Sequence, residues 1–316
     1  MNKTKRNRII SIVLGLCILA GALMLAGCGG GGQNGGKEDL NVETVSLKTA
    51  EQLMADNPNP TFAAIGGEWI IKGLTLSKAE VPEDYYNHYY DNLRAAVKKA
   101  GGTISENRYT DYARVVIALA ALGKDAKDVE GYDLVSYLDD YEKVTLQGTT
   151  SAAFALIAAQ VSGNTLENEE AYIDFILEDE MKDALMEEEG FSDYYAMGAE
   201  GLSFYRGRAD VDQYIEESVQ ILSDQQGENG AMTNCESTAE AIEALVQLGI
   251  DPEKDERFIK NGKSLYDGLM TFYVGEGRFK HLPEDEEANA MASERALLAM
   301  DAILLYQQGR QIYEAK

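Results

Sequence analysis

From residue 47 onward, apolar residues recur with the period of a helix, and no stretch alternates convincingly as a strand does. The pattern predicts helices over 47–56, 62–76, 83–100, 108–123, 131–138, 149–160, 169–188, 192–206, 210–226, 236–249, 255–273 and 288–308. Every second helix, beginning with 62–76, is rich in Ala and Gly and apolar on most sides, as in Val115-Val-Ile-Ala-Leu-Ala-Ala-Leu122. A helix that is apolar all round is buried on all sides. The alternate helices are amphipathic. In 83–100 the stripe is Tyr86, Tyr90, Leu93 and Val97, with Asp84, Lys98 and Lys99 away from it.

The buried helices also resemble one another. Thr110-Asp-Tyr-Ala-Arg-Val-Val-Ile-Ala-Leu-Ala-Ala-Leu-Gly-Lys-Asp125 lines up with Glu236-Ser-Thr-Ala-Glu-Ala-Ile-Glu-Ala-Leu-Val-Gln-Leu-Gly-Ile-Asp251, and both end Leu-Gly-x-Asp. Gly123 and Gly249 stand where a left-handed cap closes a helix. Looser copies begin at Thr149 and Ala292. A repeat of one buried and one amphipathic helix predicts stacking into a continuous core. Six of each predict two concentric rings, an all-α fold of the α6/α6 toroid type over residues 47–316.

Several motifs carry a resemblance. They are Gly66-Gly-Glu-Trp-Ile-Ile-Lys-Gly-Leu74, Tyr109-Thr-Asp-Tyr-Ala-Arg114, Gln147-Gly148, Ser237-Thr-Ala-Glu-Ala241, Lys260-Asn-Gly-Lys-Ser-Leu265 and Ala292-Ser-Glu-Arg-Ala-Leu297. Over roughly residues 60–305 the chain resembles the terpenoid cyclase/protein prenyltransferase α/α-toroid superfamily, above all its bacterial surface members with prenyltransferase-type repeats. The resemblance implies the fold and leaves the activity open, because the chemistry of that superfamily is missing. A protonating Asp-x-Asp-Asp relies on neighbouring carboxylates to keep one acid protonated. Asp210-Val-Asp-Gln213 lacks its last acid and reads as the acidic start of a helix. Asp139-Asp-Tyr-Glu142 is followed by Lys143, which breaks the diphosphate-binding spacing. Cys235 has Thr233 where a zinc-binding Asp belongs, and His281 alone completes no tetrahedral set. With only His88 and His281 in the chain, nucleophilic catalysis has little to draw on. No cofactor is implied.

One constellation remains. Aligning the buried helices on their C-terminal ends puts Glu68, Arg114, Ser151, Gly198, Glu240 and Arg295 at one level. One turn earlier come Ala64, Thr110, Gln147, Tyr194, Glu236 and Met291. Deeper positions are mostly apolar, with Ile71, Ile117, Phe154 and Leu298, although Glu243 and Gly201 depart from this. The expected cavity is polar at its mouth and apolar below. Glu68, Trp69, Arg114, Gln147, Ser151, Tyr194, Glu236, Glu240 and Arg295 are its candidate ligand-binding residues. Opposite charges would meet on neighbouring helices, as an ion-pair belt or as a clamp on a ligand. Unpaired charges there would be strongly destabilising.

The start of the chain decides where this domain works. Lys3, Lys5, Arg6 and Arg8 precede an apolar run from Ile9 to Gly27, the pattern of a secretory signal. Leu25-Ala26-Gly27-Cys28 resembles the lipobox of bacterial lipoproteins, which implies cleavage after residue 27 and lipidation of Cys28. An uncleaved transmembrane anchor is the alternative, and it places the domain on the same side. Residues 28–46 open with Gly29-Gly-Gly-Gly-Gln-Asn-Gly-Gly36 and read as a flexible tether. Cys17 leaves with the signal, so Cys235 stands alone and a disulfide scaffold is excluded. The net charge of −26 becomes about −30 without the four signal cations, which excludes nucleic acid as a partner. Anionic headgroups would repel such a domain too, which favours a lipid tether over a surface-hugging module.

The sequence therefore predicts a lipid-anchored protein of the bacterial envelope, facing away from the cytoplasm. Its domain is expected to bind a small molecule or a surface protein without catalysis. An enzyme using lumen carboxylates such as Glu236 and Glu240, or a purely structural envelope protein with a filled lumen, are the alternatives. A strongly raised carboxylate pKa in the lumen would favour the enzyme.

Overall fold

A computed structural model describes residues 40–63, 65–178 and 191–316, so the expected signal segment, Cys28, Ala64 and residues 179–190 lie outside the described residues. Twelve α-helices are described: α1 Val42–Asp56, α2 Glu68–Leu76, α3 Glu83–Ala100, α4 Tyr109–Ala121, α5 Tyr141–Thr145, α6 Thr149–Ser162, α7 Glu169–Glu178, α8 Phe191–Leu202, α9 Ala209–Gln225, α10 Cys235–Gln247, α11 Leu265–Leu269 and α12 Ala290–Tyr306. None among the described residues is long and apolar enough to cross a membrane. The Ala-rich helices are the buried ones, as their pattern predicts. In α6 every residue from Ser151 to Ala159 is buried, and in α10 every residue from Ser237 to Gln247. They pack in order: α2 on α4, α4 on α6, α6 on α8, α8 on α10, α10 on α12, and α12 back on α2. The amphipathic helices lie against them, with α1 on α12, α7 on α6, α9 on α8 and α11 on α10.

The glycine caps hold. Gly123 and Gly249 have φ of 67° and 76°. Lys124 N donates to Leu119 O at 2.8 Å and Ile250 N to Leu245 O at 2.8 Å, the six-to-one bond of a Schellman ending.

Other expectations need correction. The first helix begins at Val42, where Asn41 caps it by accepting from Thr44 N at 2.9 Å, so 42–46 is helix and not tether. The second begins only at Glu68, after a turn with Gly66 at φ 85°. Neither 131–138 nor 255–273 is one helix. Each is broken by a two-residue turn closed by a β-bridge, Val129 to Tyr132 around Glu130-Gly131 and Lys260 to Lys263 around Asn261-Gly262, the second after a 3-10 turn at Glu256–Phe258. All four central residues have positive φ, the requirement of the type I′ turn. A 3-10 turn, Ser136–Asp139, follows the first, and α11 follows the second.

Two strands were not expected. β1, Tyr273–Gly275, pairs antiparallel with β2, Arg278–Phe279, and β2 packs on α12. The buried face of α3 is Tyr85, Tyr89, Leu93 and Val97, one residue back from the predicted stripe at its tyrosines.

Segment 307–316 crosses the C-terminal ends of three buried helices. Gln247 of α10 accepts from Tyr313 N at 2.9 Å and donates to Tyr313 O at 3.2 Å. Lys316 N reaches Gln160 O of α6 at 3.1 Å, and its ammonium reaches Ala120 O of α4 at 3.2 Å. Tyr313 is fully buried, with the Lys72 ammonium 5.2 Å from its ring centre.

Candidate functional site

The predicted level splits into a central cluster and several pairs at its edge. At the centre, Trp69 of α2 meets Phe154 of α6, ring centres 5.3 Å apart, although α4 stands between those helices in the packing order. Both rings therefore point into the space that the buried helices share. Arg295 of α12 lies with its guanidinium carbon 5.1 Å from the Trp69 ring centre, pairs with Glu240, and reaches Glu243 at 2.9 Å. Glu68 and Arg114 are farther apart, at 4.0 Å. Arg114 is held instead by Asp111 at 2.7 Å, and Glu68 accepts from Ala63 N at 2.8 Å and the Tyr89 hydroxyl at 3.1 Å. The belt is thus not continuous. Arg295 turns to Trp69 and Glu243, not to Glu68.

The remaining candidates bind their neighbours. Gln147 accepts from Thr110 N at 3.1 Å, and Tyr194 accepts from the Thr149 hydroxyl at 2.6 Å. Glu236 meets His281 Nδ1 at 2.7 Å, so it does not pair with Glu240. Ser151 is buried with its hydroxyl unbonded. Gly198 does not belong to the level at all: a methyl group there would strike the Tyr214 hydroxyl of α9, so it faces the outer layer. Cys235 and His281 share no ligand position. The thiol is buried 3.7 Å from Ala292 O, and burial pushes its pKa well up.

Below the level, the expected apolar floor is only partly right. Ile71, Ile117, Phe154 and Leu298 are buried, but Glu200, Glu243 and Lys72 lie among the buried residues too. Glu200, Glu240 and Glu243 are 0%, 2% and 0% exposed and face one guanidinium. Burial raises all three, Glu240 to about 7 and the other two well above the ordinary carboxylate range. Carboxylates this close cannot all ionise. The charge on Glu240 and Glu243 adds to burial in raising Glu200, which favours a proton on it. Burial works against the charge of Arg295, yet Glu240 and Glu243 outweigh it and hold the guanidinium ionised.

A cavity of about 360 Å3 lies elsewhere, between the C-terminal turn of α1, the 65–66 turn, the β1–β2 hairpin and the start of α12. It contains none of the predicted site residues, yet Glu294 and Ser293, next to Arg295 in sequence, line it. Sequence reasoning missed it because its walls come from the unpredicted hairpin and from the turn taken for helix.

Among the described residues, no cluster of three or more His, Cys, Asp or Glu side chains is placed to hold a metal ion. Against known proteins, the chain matches no family model and no curated sequence.

Proposed function

We propose that the chain is an exported lipoprotein, anchored through Cys28, whose α6/α6-toroid domain binds a small molecule or a surface partner without transforming it. Support for the toroid comes from the closed packing order of the six buried helices and from the repeat of Leu-Gly-x-Asp caps. Support for export and lipidation comes from the cationic start, the apolar run and Leu25-Ala-Gly-Cys28. The observation that carries the binding reading is the position of Trp69. It is half-buried and touches both Phe154, at a tilt of 57°, and Arg295, with Arg114, Gln147, Tyr194 and Glu236 half-buried around the same helix starts. An aromatic ring held by two neighbours and still part-exposed offers contact area without loss of side-chain freedom on binding. Glu200, Glu240 and Glu243, whose raised pKa values would mark an acid–base enzyme at this level, are 0–2% exposed. A group that substrate cannot reach transfers no proton to it.

Native mass spectrometry on protein extracted from its source envelope tests both parts. The expected spectrum starts at Cys28 with a diacylglyceryl mass added, and the Cys28→Ala chain lacks that addition. A second mass should stay bound to the wild-type chain and leave in Trp69→Ala. A bare spectrum, together with Trp69 emission that no envelope extract perturbs, would leave the filled, purely structural reading in its place.

A further inference from the structure

The side cavity carries chemistry of its own, independent of the Trp69 rim. Glu294 is 2% exposed and lines it. Its Oε1 accepts from Gly66 N at 2.5 Å, and no described residue donates to its other oxygen. Asn57 and Gln52 line the same cavity, each donating from its amide nitrogen, to Gly66 O and to Asp56 Oδ1 respectively, and no described residue donates to either amide oxygen. Three acceptors thus remain, and an ammonium group has three donors. An anion finds no free cation among the described residues of the lining. Arg278, the cation of the wall, is tied to Asp56 by two hydrogen bonds of 2.8 and 3.0 Å. Two of the free amides at the start of α12 are taken by Asn289, whose side chain accepts from Met291 N and Ala292 N. The remaining wall is apolar: Leu53 and Ile70 are buried, and Ile65 stands 48% exposed at the opening.

We propose that this cavity binds a small primary alkylamine, its ammonium on Glu294, Asn57 and Gln52 and its carbon chain on Leu53, Ile65 and Ile70. The volume is within the range of small-ligand sites. The protein's net charge of −26 draws cations toward it. Burial pushes Glu294 up to about 8, so at pH 7 the empty site holds a neutral carboxyl. An arriving R–NH3+ keeps its three protons, and Glu294 gives its own proton to the buffer and becomes the counter-ion. Binding at pH 7 should therefore release close to one proton per amine.

Isothermal titration of the full chain with 3-methylbutylamine, in two buffers of different ionisation enthalpy, reads affinity and proton release together. The alcohol of the same shape, 3-methylbutan-1-ol, is the neutral control. The expected result is amine binding at least tenfold tighter than alcohol binding, with proton release that disappears above pH 9. Glu294→Gln keeps the acceptor for Gly66 N and should lose the preference for amine. Gln52→Met, at a half-buried position, should weaken amine binding severalfold and covers the case in which the first variant misfolds. Equal binding of amine and alcohol, or no amine binding at millimolar concentration, overturns the proposal. So does amine binding that survives Glu294→Gln and shifts Trp69 emission, since that places the amine at the rim.

Discussion

Arg295 is held by Glu240, Glu243 and the face of Trp69, while Glu200 is buried nearby with burial, Glu240 and Glu243 all raising its pKa. These four ionisable side chains should respond to mutation very differently. Arg295→Met removes the cation paired with Glu240 and Glu243 and should destabilise by about 3–5 kcal/mol, the usual cost of orphaning a buried charge. Glu200→Gln replaces a carboxyl that is already neutral with a neutral amide of the same shape, and should change stability by less than about 1 kcal/mol. Urea unfolding of the two variants checks the contrast; equal losses would mean that Glu200 is ionised. Arg295→Met combined with Glu240→Gln should cost less than the sum of the single changes, because both act in one network. The Glu240–Arg295 pair was legible in the sequence because α10 closes on the same Leu-Gly cap that fixes the register of α4. Glu200 was not. Its helix runs into a 3-10 turn at Ser203–Tyr205 with no capping glycine, so alignment on helix ends put the outward-facing Gly198 in its place.

At the scale of elements, the apolar period located the buried helices well and failed where turn chemistry competes with it. Asn261-Gly262 is a strong hairpin signal, and Glu130-Gly131 stands at the equivalent place in its repeat, four residues before Leu265 and Leu134 respectively. The residues around them keep a helical spacing, which extends the predicted helices over Gly131, Asn261 and Gly262. On α3 the spacing allows two stripes, through Tyr85 and Tyr89 or through Tyr86 and Tyr90. Hydroxyl partners decide between them. Tyr85 donates to Asn57 O at 2.9 Å and Tyr89 to Glu68 at 3.1 Å, partners that no local pattern encodes. The glycines allow a test of how elements are joined. At Gly123 a methyl group would meet nothing within 4 Å, so Gly123→Ala should cost only the left-handed backbone conformation, about 1–2 kcal/mol. At Gly277 the methyl would lie 2.5 Å from Lys48 O of α1. Gly277→Ala should therefore cost more than Gly123→Ala in the same urea titration, since it must also push the hairpin off α1. Equal costs would show that the hairpin is free to move.

For the whole molecule, what the sequence hid is long-range. Segment 307–316 has no apolar period, yet Tyr313 is buried where the ends of α4, α6 and α10 meet the same segment, through contacts as far as 196 residues apart in the chain. The same packing seals acids that the unfolded chain would leave in water, and this sets the pH dependence of stability. Glu294 is raised to about 8, Glu240 to about 7 and Asp301 to about 7, with burial the first cause in each case. Asp301 makes the argument plain. It is 1% exposed, accepts from the Ser46 hydroxyl at 2.6 Å, and has a second oxygen with no partner, as suits a protonated carboxyl. Between pH 4 and pH 7 the folded chain holds this proton and the unfolded chain does not. Stability must then fall as pH rises, by about 1.4 kcal/mol per pH unit per such group, and level off above the folded pKa. Glu294 and Glu240 add to the fall from about pH 4.5 up to about 8 and 7 respectively. The lowered carboxylates, Glu130, Asp210, Asp255 and Asp267, act in the opposite sense, but only below the ordinary carboxylate range. Repulsion within a chain of net charge −26 eases as acids are protonated and works in the same direction as the buried groups. Thermal unfolding should therefore show a melting temperature that climbs steadily as pH is lowered from 8 to 5. In Asp301→Asn, where the amide cannot ionise, the climb between pH 7 and 5 should be shallower than in the wild type. A flat profile, or one that rises toward pH 8, would mean that these acids are ionised inside the fold.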